Sequence, residues 1–170
     1  MELEGHIVEF LDSGTLNVGY VRKHDRSKVQ IIDPRGRQSS VPSPRIAIVH
    51  QAVSETEFHE SLRLLVEQVE AYRSEIEVEL LWESINSETR DFTLRELAEA
   101  YFGKTSPAAE AALFRELERA PLFFELKNTQ FQPRSEEHVA KERLRKERQQ
   151  ERQEFRQQVE ELLRGALKKA

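Results

Sequence analysis

The chain contains no cysteine, which excludes disulfides, thiol nucleophiles and cysteine metal sites. Aspartate is scarce. Asp12, Asp25, Asp33 and Asp91 are the only four, and each falls in a separate turn-like stretch. Metal-assisted phosphate cleavage needs several convergent carboxylates, and this scatter offers none. The histidines (His6, His24, His50, His59, His138) lack metal-ligand spacing. The six glycines stand singly, so no glycine-rich phosphate loop is formed. No apolar run approaches the ~20 residues that span a bilayer. The opening MELEGHIVEF is too acidic for a signal or transit peptide. These absences predict a soluble, cytoplasmic, non-catalytic chain with no cofactor of its own.

What is present is charge. Charged residues make up 34% of the chain and hydrophobic ones 38%, against the usual ~25% and ~45–50%. The charge is unevenly placed. Residues 1–50 carry 7 Lys/Arg against 6 Asp/Glu, residues 51–134 carry 9 against 17, and residues 135–170 carry 10 against 8. An acidic middle is a poor match for phosphate-rich ligands, so any nucleic-acid contact is expected nearer the ends.

Five short β-type runs open the chain: residues 5–11 (GHIVEFL), 16–22 (LNVGYVR), 28–33 (KVQIID), 37–41 (RQSSV) and 45–50 (RIAIVH). Gly, Pro, Asp and Ser separate them, and this spacing predicts an SH3-like or Tudor-like small β-barrel over residues 1–52. The period then changes to 3.6. Ser54 with Glu57 fits a capping box before a connecting helix in residues 53–74, with Phe58, Leu62, Leu65, Val66, Val69 and Tyr72 on one face.

Residues 75–134 read as a winged helix-turn-helix. A helix over 76–85 places Leu80, Leu81, Trp82 and Ile85 inward. Thr93 with Glu96 caps a second helix that Gly103 ends, and Ser106-Pro107 opens a third. Residues 122–127 and 129–133 form a two-stranded ribbon turned at Asn128. The third helix carries Glu110, Glu116 and Glu118 against Arg115 and Arg119. Its first turn has no base-reading side chain, so the charges oppose sequence-specific DNA binding. Residues 135–170 are rich in helix formers, with no apolar residue between Leu144 and Phe155. That gap predicts a solvated linker helix, ending in a partner-docking stripe of Phe155, Val159, Leu162, Leu163 and Leu167. The fold class expected is α+β.

The basic residues of the first segment cluster at two turns. Arg22, Lys23, Arg26 and Lys28 surround one, Arg35 and Arg37 flank the other, and Tyr20 lies beside the first group. They are the candidate RNA-binding residues, with Tyr20 available to stack on a base. The bland reading is that charged turns keep strand edges soluble.

The order of these parts resembles the N-terminal region of the bacterial and plastid branch of the ribonuclease II (RNB-type) 3′→5′ exoribonucleases. The motifs are the strand from Gly5 to Phe10; Ile31, Ile32, Asp33, Gly36 and Arg37; the run from Leu94 to Phe102; Phe124, Phe131, Pro133 and Arg134; and the Gln/Glu/Arg-rich helix that follows. The resemblance implies a parent that hydrolyses RNA from its 3′ end, with magnesium held by an aspartate cluster in a catalytic domain that these 170 residues do not contain. This chain would then assist single-stranded RNA binding or access, and the rest of the parent polypeptide would be its partner. Two other functions fit the residues: a protein-interaction adaptor that does not bind RNA, and a winged-helix DNA-binding regulator.

Overall fold

Strand β1 (His6–Asp12) sits near the middle of an antiparallel sheet that also holds β2 (Thr15–Asp25), β3 (Lys28–Ile32), β4 (Gln38–Pro42) and β5 (Ile46–Ala52), in the order β4-β3-β2-β1-β5. The structure, a computed structural model, describes residues 2–169. All five strands lie close to where the sequence places them. The turns use left-handed backbone at Ser13, Gly14, Arg26 and Gly36, and the amide of Gly36 closes its turn on the carbonyl of Asp33 at 2.9 Å.

The expected SH3-like barrel is corrected: the sheet is not closed, and β4 and β5 are its two edges. The residues explain this. Strand β4 buries only Val41, and Pro42 ends it. A 3₁₀ turn (Ser43–Arg45) with Pro44 inside it leads to β5. Prolines donate no backbone hydrogen bond, so a ladder between the two edges is denied at the point where it would start.

Strand β1 is buried on both faces, which is why its burial does not alternate. On one side Val8 and Phe10 join Leu3, Val21, Val29, Ile31 and Val41 in a single apolar cluster, with Ile46 and Val49 against it. Residues from all five strands feed this cluster, so the sheet is strongly coiled although open. On the other side Ile7 and Tyr20 meet Phe58, with Leu62 and Leu65 beside them. Gly19 has no room for a side chain: a Cβ there would lie 2.0 Å from Ile31 Cγ2.

Helix α1 (Phe58–Arg73) covers this second face. The Ser54–Glu57 capping box is not formed. A 3₁₀ turn (Glu55–Glu57) comes first, and the Ser54 hydroxyl meets Thr56 Oγ1 at 3.1 Å instead of a backbone amide. Val66, expected on the inward face, is 53% exposed.

The segment that follows runs α2 (Val78–Ile85), β6 (Phe92–Thr93), α3 (Leu94–Phe102), α4 (Pro107–Arg119), β7 (Phe124–Lys127) and β8 (Gln130–Pro133), with β8 central in a three-stranded sheet. Thr93 caps α3 by accepting from the Glu96 amide at 3.1 Å, and Ser106 caps α4 by accepting from the Ala109 amide at 3.2 Å. Gly103 ends α3 in left-handed geometry, and Asn128 does the same for the β7–β8 turn. Helix α2 starts two residues later than expected and leaves Leu80 outward. Trp82 packs on Phe123, and Phe114 meets Phe131 edge to face at 5.3 Å. Between α1 and α2 the Tyr101 hydroxyl donates to the Glu75 carbonyl at 2.7 Å and accepts from the Glu77 amide at 2.9 Å.

The residues up to Pro133 form one compact unit, and those from Arg134 onward form a second. The second unit is essentially one helix, α5 (Glu136–Lys169), of 34 residues, about 51 Å at 1.5 Å per residue. Its backbone is capped where the Ser135 hydroxyl accepts from the His138 amide at 3.1 Å.

Candidate nucleic-acid interface

The seven residues proposed for RNA contact separate into two groups. Tyr20 is removed from the set as a stacking platform. It is buried, its ring lies 5.7 Å from that of Phe58, and its hydroxyl donates to the Val53 carbonyl at 3.2 Å. The sequence shows it beside cationic turns, but strand alternation turns it toward α1. Arg22 is held by Glu55 through two contacts, of 2.6 and 3.3 Å, and Lys23 faces Asp25 at 3.6 Å. The other four are exposed, and among the described residues the side chains of Arg26, Lys28, Arg35 and Arg37 make no ion pair or hydrogen bond. The turn bearing Arg35 and Arg37 is itself fixed, because Asp33 Oδ1 accepts from both of their backbone amides at 2.9 Å.

Helix α4 is where a groove-reading helix would stand, and its packing shows another use. Seven of its thirteen residues are buried, including Leu113, Phe114 and Leu117. It packs on α1 and α3 and reaches β5. Two of its charged side chains tie it to other elements. Arg73 of α1 binds Glu116 at 2.8 Å, and Arg115 reaches into the sheet to Glu9.

Glu9 is the feature that sequence reasoning missed. It is 2% exposed, and His50 Nε2 lies 2.8 Å from its Oε2 while Arg115 holds its Oε1. His50 is buried as well, and its carbonyl meets His6 Nδ1 at 2.7 Å. Burial pushes the Glu9 carboxyl up. The hydrogen bond from His50 and the Arg115 charge outweigh it and hold the group below the ordinary carboxylate value. The available signal was a glutamate inside the apolar run IVEFL, out of phase with an exposed face. The trio welds β1, β5 and α4 together. Its polar groups are spent on one another, with Glu9 and Arg115 bordering a small cavity of about 140 Å³ and His50 a larger one of about 530 Å³.

Among the described residues no group of three or more His, Cys, Asp or Glu is placed to hold a metal ion, and no helix is long and apolar enough to cross a membrane. On α5 the stripe residues are all open to solvent. Leu162 and Leu167 are 74% and 77% exposed, and Phe155, Val159 and Leu163 are exposed beside them.

The helix–strand–helix–helix–ribbon order, with β6 paired to the far strand of the ribbon, is the arrangement of a winged helix. Residues 64–138 match the family model for the ribonuclease II winged helix domain. The match runs from within α1 to the first turn of α5 and takes in under half of the 170-residue chain. It supports a relation to the ribonuclease II family. No curated protein and no solved structure matches the chain. Within the winged helix domain, the helix that would read a duplex is the one committed to α1 and, through Arg115, to the sheet. Arg26, Lys28, Arg35 and Arg37 lie outside the matched residues, at the ends of β3.

Proposed function

We propose that this chain is a non-catalytic N-terminal region of an RNB-type exoribonuclease of the bacterial and plastid branch, assisting access of single-stranded RNA to a magnesium-dependent 3′→5′ hydrolytic domain elsewhere in the natural polypeptide. The observation that carries the reading is the match of residues 64–138 to the ribonuclease II winged helix domain. The motif order on either side of it agrees. Arg26, Lys28, Arg35 and Arg37 supply the RNA contact, and Lys23 adds a partly neutralised charge. A cytoplasmic setting suits this role.

Four phosphate contacts give weak, salt-dependent binding. At about −0.7 per phosphate for single strands, affinity falls about 50-fold between 50 and 200 mM salt. Fluorescence anisotropy of labelled single-stranded RNA across that range tests this. Arg35→Glu with Arg37→Glu is expected to abolish binding at 150 mM salt. Absence of binding at low salt would refute the RNA role, and shortening of the RNA with magnesium would refute the non-catalytic one.

The exposed stripe on α5 favours a second role in the same region. Phe155, Val159, Leu162, Leu163 and Leu167 would dock another protein surface or another part of the parent polypeptide. If that is the whole function, the chain is an adaptor and the salt series shows no RNA affinity.

A further inference from the structure

The open face of β2–β4 carries a groove of about 260 Å³ lined by Arg22, Gln30, Ile31, Gln38, Ser39 and Ser40. Register explains the convergence. Gln30 lies directly opposite Ser40, and Ile32 opposite Gln38, so Gln30, Gln38 and Ser40 share the outward face of β3 and β4. Among the described residues none of the side chains of Gln30, Gln38, Ser39 and Ser40 has a hydrogen-bond partner. Arg26, Lys28, Arg35 and Arg37 bracket this floor. Arg26 and Lys28 stand at one end of β3, and Arg35 and Arg37 stand beyond the other. The ends are about 13 Å apart, four strand steps at about 3.3 Å, or about four rises of a stacked nucleic-acid strand. The nearby acids are already engaged: Glu55 holds Arg22, Asp25 faces Lys23, and Asp33 accepts the turn amides.

We propose that this groove is a base-reading subsite for single-stranded RNA, with phosphates held at the two cationic ends and one base set against the amides of Gln30 and Gln38. The inference rests on the RNA-contact reading above and adds how the contact discriminates. The groove is smaller than the ~300 Å³ lower bound of drug-sized pockets, which suits one base rather than a larger ligand. Single-strand binders that stack bases on aromatic rings tolerate any sequence, because every base has a π-face. Here Tyr20 is turned inward and no aromatic residue lines the groove. Recognition therefore falls to hydrogen bonds with base edges, which single strands leave free. A glutamine amide pairs its donor and acceptor with N7 and N6 of adenine. The Ser40 hydroxyl, on the same face as the two glutamines, matches the donor–acceptor character of a ribose 2′-OH. The expected preference is adenine over uracil.

The test is anisotropy with the full 170-residue chain against labelled A12 and U12 RNA, at several salt concentrations. A12 is expected to bind about tenfold more tightly. Gln30→Ala with Gln38→Ala is expected to bring the A12/U12 ratio to about one and leave the salt slope unchanged. Arg35→Glu with Arg37→Glu should flatten the slope. Circular dichroism of each variant is the check that these exposed substitutions leave the fold intact. Equal binding of A12 and U12, or a ratio the glutamine variant does not change, overturns the subsite while leaving the RNA role standing. No binding of either RNA overturns both.

Discussion

Replacing Arg115 by methionine keeps the apolar stem of the side chain and removes the charge that faces Glu9. The carboxylate is then left buried with His50 as its remaining partner. Stripping one member from a buried ion pair costs about 3–5 kcal/mol. Arg115 is 32% exposed, so water partly replaces it, and about 2–3 kcal/mol is the expected loss. For a unit of this size that is a fall in Tm of roughly 6–12 °C, read by calorimetry or circular dichroism at pH 7. Glu9→Gln alone should lose less, because an amide still hydrogen-bonds and carries no charge to strand. The double variant should then lose clearly less than the sum of the two singles, a coupling of about 1 kcal/mol or more. The pH dependence follows from the sign of the Glu9 shift. Its folded value is lowered, so its contribution is whole above the unfolded value near 4.3. It disappears as the pH falls through the lower, folded one. The wild type should therefore lose stability on acidification in that window more steeply than Glu9→Gln. Additive single losses, or an Arg115→Met shift below about 2 °C, would refute the weld.

Two further outcomes follow from packing. Gly19→Ala forces a methyl group against Ile31 Cγ2 at 2.0 Å and should destabilise by about 1–3 kcal/mol in urea unfolding; a neutral result would mean that β2 and β3 do not approach as described. Leu162→Ser with Leu167→Ser removes two side chains that are 74% and 77% exposed and should leave the unfolding free energy of the chain within about 0.5 kcal/mol of wild type. A larger loss, together with a change in sedimentation, would show the stripe already covered by a second copy.

Local chemistry made most elements legible. Thr93, Gly103, Ser106-Pro107 and Asn128 act as their sequence neighbourhoods predict, because caps and left-handed turns are decided within four residues. What failed depended on distant residues. Closure of the sheet turned on whether β4 could pair with β5, and two prolines decided against it. Ser54 lost its capping role to an intervening 3₁₀ turn. In the candidate site the cationic turns were visible, but the fate of Tyr20 was not, since only the arrival of α1 shows which face of β2 is covered. Arg22 is neutralised by Glu55, 33 positions away. The Glu9–Arg115 link spans 106 positions, beyond any periodic signal.

The joint between α1 and α2 has a consequence for how the first unit comes apart. A few polar residues between two helices are ordinarily a seam, where chains are nicked and where two modules open separately. Here Tyr101 grips the backbone on both sides of that seam, at Glu75 and at Glu77. Opening it means first pulling α3 away. The sheet and the winged helix domain are therefore expected to share one cooperative opening event in hydrogen exchange, and a truncation made at residue 75 would remove part of a fold rather than release a module.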